Sequence, residues 1–254
     1  MIITSISDVH IKESTDSNFS LLKKFFNHEY VRKSDYIVLN GDIFDILIGG
    51  KVQYLKKYSD FFLLIESAIK NGSKIIYIEG NHDFHIERLI RKSKKKLGIP
   101  DEMFLHIKNY FDIEVDSRLV RFTHGDDVEI ENESYRKYKR AINNPFVKFL
   151  GDYIVPFSFI EWIGHRASNK SRGKNVKKYE LTVEGQEFVK DKFRTSSKLY
   201  FKDHSNISGL VCGHSHCKDY FKLDDGKFYV NNGFAPASKS FIKISDAGVE
   251  FIDL

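Results

Sequence analysis

The amino-acid sequence predicts an α/β fold in a single folding unit, residues 1–254, with a helical cap inserted over about 133–194. Three observations carry this. β-Branched runs alternate with helical periodicity through the first eighty residues, and strand-like segments return from residue 209. Between them lies an aromatic-rich stretch of helical character with no repeat and no low-complexity linker.

The runs Ile2-Ile3-Thr4-Ser5-Ile6, Tyr36-Ile37-Val38-Leu39 and Lys74-Ile75-Ile76-Tyr77-Ile78 have the continuous apolar character of strands covered on both faces. Between them, helical spacing aligns Phe19, Leu22, Phe25 and Phe26, then Leu55, Phe62, Leu63, Ile65 and Ile69. This order predicts a βαβαβ sheet, in which the polar groups after each strand gather at the carboxyl edge. After Phe84 a helix ends in the run Arg91-Lys92-Ser93-Lys94-Lys95-Lys96, which reads as a solvated basic face. Further strands are expected around Phe111 to Val115, Leu119 to Thr123, Gly209 to Cys212, Phe228 to Val230, Phe241 to Ile244 and Val249 to Ile252.

Composition narrows the function classes. With 41% hydrophobic and 30% charged residues and four prolines, the chain is neither disordered nor fibrous. No basic, apolar leader pattern opens it and no apolar run approaches a membrane span, so secretion and membrane crossing are not expected. Two cysteines, Cys212 and Cys217, are too few for a disulfide framework and suit a cytosolic compartment. The formal charge of +5 is uneven: residues 133–178 hold eleven Lys and Arg against three Asp and Glu, a local +8 that leaves the remainder at −3.

Chemistry concentrates in five clusters, each at an expected strand end: Asp8-Val9-His10, Gly41-Asp42-Ile43-Phe44-Asp45, Gly80-Asn81-His82-Asp83, His124-Gly125-Asp126 and Gly213-His214-Ser215-His216. Carboxylate, imidazole and amide oxygen suit borderline divalent ions such as Mn, Fe or Zn. The glycines Gly41, Gly80, Gly125 and Gly213 are read as hinges that aim the next side chain. His28, His85, His106, His165 and His204 lack a partner motif and are read as ordinary surface or core residues.

The ordered set Asp-x-His, Gly-Asp-x-x-Asp, Gly-Asn-His-Asp, His-Gly-Asp and Gly-His-x-His resembles the calcineurin-like metallophosphoesterases, over residues 8–216. The resemblance implies an αββα sandwich of two mixed sheets flanked by helices, with two metal ions at the sheet edges. It places one ion on Asp8, His10 and His216 and the other on Asn81, His124 and His214, with Asp42 bridging them. Two ions in such a site bind phosphoryl oxygens and activate a water for in-line attack. His82 then resembles the general acid or phosphate-stabilising histidine, Asp83 is expected to fix its orientation, and Asp45 and Asp126 to support the ligands.

The insertion narrows this further. Phe146 to Ile163 is strongly apolar and is bordered by Arg136-Lys137-Tyr138-Lys139-Arg140 and by a second basic stretch from Arg166 to Lys178, which suits an anionic amphiphile. About half of these apolar residues are expected to pack the cap onto the body. Tyr135-x-x-Tyr138, Asn144-Pro145-Phe146 and Ser171-x-x-x-Asn175-x-x-Lys178 together resemble the UDP-2,3-diacylglucosamine hydrolases of lipid A synthesis. That resemblance implies cleavage of the substrate pyrophosphate to UMP and 2,3-diacylglucosamine 1-phosphate by two divalent ions, Mn²⁺ first among them. It implies substrate contacts at Asn81, Asn132, Ser171, Asn175, Lys178 and His214, and a cytoplasmic protein held peripherally at the inner membrane surface. The chain departs from the pattern twice, with Asn132 in place of Asp and His82 in place of Arg. A broader metal-dependent phosphodiesterase or nucleotide pyrophosphatase is the alternative, and nucleic acid is not expected as a partner.

Overall fold

The computed structural model describes residues 1–129, 137, 139, 141, 144–162, 166 and 182–254. In chain order, β1 (Ile3–Ile6) leads through α1 (Ser17–Asn27) and the single turn α2 (Glu29–Arg32) to β2 (Tyr36–Asn40). A two-residue strand, β3 (Leu47–Ile48), precedes α3 (Gln53–Lys57), α4 (Ser59–Lys70) and β4 (Lys74–Ile78). Then come β5 (Asp83–Phe84), α5 (Glu87–Leu97), β6 (Phe104–Ile107), β7 (Tyr110–Val115) and β8 (Arg118–Thr123). The described part of the insertion contains α6 (Pro145–Phe149). Beyond it are α7 (Val183–Asp203), β9 (Gly209–Cys212), β10 (Lys218–Lys222), β11 (Phe228–Asn232), α8 (Ala235–Ser238), β12 (Ser240–Ser245) and β13 (Gly248–Asp253).

Two mixed sheets result. One runs β13-β12-β1-β2-β4-β6, the other β10-β11-β9-β8-β7. In the first, β1, β2, β4 and β6 are parallel and β12 and β13 antiparallel. In the second, β8, β9 and β11 are parallel and the outer strands β7 and β10 antiparallel. The period of two along each strand divides its side chains between two layers. Val38, Ile76, Ile78, Val120, Phe122, Val211 and Val230 meet between the sheets. Ile37, Leu39, Ile75 and Tyr77 face the other way, onto Phe19, Leu22, Phe25, Phe61, Ile65 and Leu89 of the helices. Behind the second sheet, Leu210, Cys212 and Tyr229 pack with Phe193 and Phe201 of α7. This is the αββα sandwich, and burial on both faces explains why the strand sequences read as continuous apolar runs.

Helix starts follow local chemistry. Asp16 caps α1, its Oδ1 accepting from Phe19 N at 2.6 Å. Four strands were not expected: the two-residue β3 and β5, which pair with each other, and β6 and β10. β6 and β10 are edge strands with mixed polarity, Phe-Leu-His-Ile and Lys-Asp-Tyr-Phe-Lys, so neither shows a run that marks it in advance. In α5, Leu89, Ile90 and Ser93 turn inward while Arg91, Lys95 and Lys96 are exposed.

Residues 144–162, within the expected cap, attach to the rest of the protein through polar contacts and a few rings. Asn144 caps α6 by accepting from Phe146 N at 2.9 Å, with Pro145 at the first helical position. A wider helical turn follows at Leu150–Ile154, and helix resumes at 157–162. Asp152 is buried and its Oδ1 accepts from Gly50 N at 2.6 Å. Lys148 pairs with Glu87 at 3.0 Å, Lys57 with Glu161, and the Phe157 ring packs edge-on against Tyr54. Phe157 and Ile160 thus pack inward, whereas Phe146, Tyr153, Ile154 and Trp162 are 66, 59, 61 and 56% exposed. Residue 194, the expected end of the insertion, falls inside α7, whose later turns pack behind the second sheet. Asn132, Tyr135, Tyr138, Ser171, Asn175 and Lys178 lie outside the described residues.

Replacing Asp152 by Ala leaves the Gly50 amide buried without its acceptor, a loss of about 1–3 kcal/mol. The expected outcome is faster amide hydrogen exchange at residues 48–52 and 145–162, with the sheet amides unchanged. Unaltered exchange in both segments would show that Asp152 does not hold the cap.

Candidate metal centre

The parallel strands of both sheets end side by side, and the five motifs sit immediately beyond β1, β2, β4, β8 and β9. The chain turns inward there through backbone that side chains rarely adopt: φ is +53° at Asp8, His10 and Asp42, +67° at His214 and +57° at His216. The expected hinge glycines divide into two kinds. Gly41 and Gly125 have positive φ, but Gly80 and Gly213 do not. Those two are required by space: a Cβ on Gly80 would fall on Asp42 Oδ1, and one on Gly213 on Asp8 Oδ2 and Ser7 Oγ.

The side chains converge in two overlapping groups. His10 Nε2 lies 3.4 Å from His216 Nε2, which lies 3.4 Å from Asp8 Oδ1. On the other side, Asn81 Oδ1 is 3.0 Å from both His124 Nε2 and His214 Nδ1. Asp42 Oδ2 stands between them, 3.8 Å from His10 Nε2 and 3.5 Å from His124 Nε2. Lone-pair donors of this number, with few protons to share, fit two divalent cations. The ligand atoms of Asp8, His10 and His216 lie within 4.8 Å of one another, as do those of Asp8, Asp42 and His124. A third group, His10, Asp45 and His82, adjoins the first.

Charge at the centre points the same way. Burial pushes His10 down to about 3, against the pull of Asp42. Burial also disfavours a charged His124, but the Asp42 carboxylate outweighs it and lifts this imidazole to about 10. Burial raises Asp8 and Asp42, yet the neighbouring imidazoles prevail, His216 at Asp8 and His124 and His82 at Asp42, and both carboxyls stay below their usual range. Asp8 and Asp42 are therefore buried carboxylates held in their charged form, a setting that suits divalent ions. Asp126, also buried, is held by Lys139 at 2.8 Å.

One expectation is corrected. Asp83 does not orient His82. Its carboxylate accepts from the backbone N–H groups of Gly80, Asp42, Ile43 and Phe44 at 2.8, 2.9, 2.7 and 3.3 Å, and from Tyr77 Oη–H at 2.7 Å. It ties the second motif to the third, and burial together with Asp42 pushes it up to about 7. His82 is fixed by other groups: its backbone N–H donates to Asp42 Oδ1 at 2.8 Å, and its Nδ1 to the Asp45 carbonyl at 2.8 Å. A carbonyl only accepts, so Nδ1 carries the proton and Nε2 is the atom left to face a substrate.

Several contributors escaped the sequence reading. Asn231 Nδ2 donates to the Gly213 carbonyl at 2.5 Å, bracing the last motif, and the Phe234 ring stacks on His216. Asn231 and Asn232 close β11, just past the expected strand Phe228 to Val230, so the rule that polar residues at a strand end build the site could have found them. Tyr77 gave no signal, since its run reads only as a buried strand. His106, read as ordinary, pairs with the buried Glu79 at 2.7 Å. Beside the centre, and sharing Asn81 with it, lies a cleft of about 430 Å³ lined also by Phe84, Lys108, Asn109, Lys139 and Lys148, a volume within the range of small-molecule sites.

The fold and this site define a metal-dependent hydrolase of phosphoric esters and anhydrides. The chain belongs to the calcineurin-like phosphoesterase family, whose model matches residues 1–218. Members of that family bind a dinuclear divalent metal centre, for which the converging His and Asp side chains are candidate ligands. Similar proteins include a UDP-2,3-diacylglucosamine hydrolase of Psychromonas ingrahamii, 25% identical over 83% of this chain and 79% of that protein. Another of the same name, from Wigglesworthia glossinidia brevipalpis, is 26% identical over 94% of this chain and 89% of its own length. Among solved structures, one described as a novel archaeal phosphodiesterase aligns over the whole of both chains at 14% identity with a TM-score of 0.48.

The separate tasks of Asp83 and His82 can be distinguished by thermal melts. Asp83→Asn turns an amide toward backbone donors and is expected to destabilise the protein by about 2–4 kcal/mol, since hydrogen bonds to charged groups are worth about 1.5–3 kcal/mol each. His82→Ala is expected to melt close to wild type. A wild-type melting temperature for Asp83→Asn would contradict its bracing role.

Proposed function

We propose that this protein hydrolyses the pyrophosphate of UDP-2,3-diacylglucosamine, giving UMP and 2,3-diacylglucosamine 1-phosphate. The observation that carries the reading is that relatives of this name match 83–97% of the chain. The structure supports it chemically, because the substrate has a polar half and a greasy half. The lysine-lined cleft beside Asn81 suits the nucleotide, and the outward-facing apolar side chains of 146–162 suit acyl chains.

In this reading Asp8, His10 and His216 hold one divalent ion and Asn81, His124 and His214 the other, with Asp42 between them. Mn²⁺ is the proposed metal. When bound, the ions supply Lewis acidity at the phosphoryl oxygens and an activated water. The side chains around them have distinct work. With Nδ1–H held by the Asp45 carbonyl, His82 presents Nε2 to the reacting phosphoryl group, and in its imidazolium form donates a proton or hydrogen bond there. Asn81 and His214, and beyond the described residues Asn132, Ser171, Asn175 and Lys178, are proposed to contact the substrate.

No described helix is long and apolar enough to cross a membrane. We propose a cytoplasmic protein that attaches peripherally to the inner membrane by the exposed aromatic and aliphatic side chains of the cap, with Arg88, stacked on Tyr153, among the cations beside them. One observation favours a second reading. His82 stands where the lipid hydrolases resembled here carry Arg, so a broader phosphodiesterase or nucleotide pyrophosphatase using the same centre is the alternative.

His82→Ala is expected to lower kcat by about 10²–10⁴ while metal content stays at the wild-type level. Elemental analysis beside steady-state kinetics checks this, and lost metal would make His82 a ligand or prop instead. The two readings separate on substrate. Acyl chains contribute about 0.8 kcal/mol per buried CH₂ before ordering costs, so unacylated UDP-sugar should be a very poor substrate. Lys178→Ala should weaken use of the lipid and spare a small aryl phosphodiester, at fixed detergent and salt. Equal kcat/KM for acylated and unacylated substrates would leave the broader enzyme.

A further inference from the structure

His214 is held from two sides. Its Nδ1 is directed at Asn81 Oδ1, 3.0 Å away, the same oxygen on which His124 converges. Its Nε2 lies 3.4 Å from Glu129 Oε2. The other carboxylate oxygen of Glu129 accepts from Lys192 Nζ at 2.5 Å, and the Glu129 side chain is only 13% exposed. Lys192 belongs to α7, and the neighbouring Phe193, itself buried, places its ring 6.3 Å from the His214 ring. A ligating histidine gives one ring nitrogen to the ion and donates from the other to a carboxylate or carbonyl, which fixes both its tautomer and its plane. The contacts of His214 and Glu129 reproduce that arrangement.

We propose that Glu129, anchored by Lys192, is a positioning residue that holds His214 with Nδ1 toward the ion it shares with Asn81 and His124. The inference rests on the ligand assignment proposed above. Neither Glu129 nor Lys192 belongs to the five motifs; one follows the fourth motif by three residues and the other lies on the helix that leads from the insertion back into the body. Because that helix carries the anchoring ammonium, the occupancy of one metal position depends on how α7 is seated, and the other position, built on Asp8, His10 and His216, does not.

A simpler account is that Glu129 and Lys192 only tether α7. The helix has a second tether that can serve as a control: Arg194 donates from Nη2 and Nε to the two carboxylate oxygens of Asp219 on β10, at 2.7 and 2.9 Å. The experiment is a Mn²⁺ titration of the full chain, followed by calorimetry for stepwise affinity and by electron paramagnetic resonance for the spin-coupled Mn pair, with a thermal melt of every variant. Glu129→Leu is expected to weaken the second Mn²⁺ by about 10–100-fold, the usual effect of losing such a partner, while the first binds as in wild type. Glu129→Gln, which still offers an acceptor to Nε2, is expected to restore most of that affinity, and Lys192→Met to fall between them. Arg194→Met is expected to lower the melting temperature without changing either affinity. The proposal is overturned if Glu129→Leu binds both ions as wild type does, or if Arg194→Met weakens the second ion as much as Glu129→Leu. Failure of the wild-type chain to bind two ions would instead remove the ligand assignment itself.

Discussion

Side chains from the ends of five strands can face a common centre only if the chain turns inward directly after each strand. It does so through residues with positive φ: Asp8, His10, Asp42, His214 and His216. Each such residue costs about 1–3 kcal/mol and persists only where its surroundings over-determine it. The surroundings here are hydrogen bonds from one exit loop to the next. Asp8 N donates to the Gly41 carbonyl at 3.1 Å, His10 N to that of Asp42 at 3.0 Å, and Gly213 N to that of His124 at 2.8 Å. Asp83 adds four backbone donors and a tyrosine to the same lattice. The strained backbone belongs to the functional residues themselves, and the glycines at 80 and 213 leave room for the carboxylates to enter.

This arrangement makes the two sheets one device. β1, β2 and β4 come from the first sheet, and β8 and β9 from the second. Neither sheet alone assembles the donors around Asp42, because His10 and Asn81 exit from one and His124 and His214 from the other. Packing of Val38 and Ile76 against Phe122 and Val211 between the sheets therefore sets the separation on which the centre depends. Interiors packed to crystal-like density hold such separations closely, so a cavity made in that layer reaches the chemistry.

Residues 144–162 rest on another balance. They turn Asp152, Lys148 and Glu161 toward the body and leave seven large apolar side chains in the solvent between 146 and 162. An exposed apolar patch of this kind marks a surface that meets lipid, ligand or another protein. Hydrophobic spacing identified the segment as helical, but spacing assigns a face and not a direction. That Phe157 and Ile160 pack inward while seven others stay exposed was decided by the acceptor that Gly50 N requires and by the shape of Tyr54.

Much of the molecule was legible in the chain. The β-branched runs located β1, β2 and β4, because strands covered on both faces are apolar throughout, and the five polar clusters were legible because each follows an expected strand. Order along the chain also carried the family, now supported by its model over residues 1–218. The sequence could not reveal β6 and β10, whose edge positions relax the apolar pattern, nor the partners of Asp83, three of whose five donors lie about forty residues away at 42–44. Glu129 was invisible for the same reason: it meets His214 and Lys192 across 85 and 63 positions, through side chains that no local pattern relates. Residue type and local periodicity are fixed by the sequence and determine which groups can do the chemistry. Their distances and orientations arise only when two sheets and a helix pack together, because those separations are set by cores made of residues far apart in the chain.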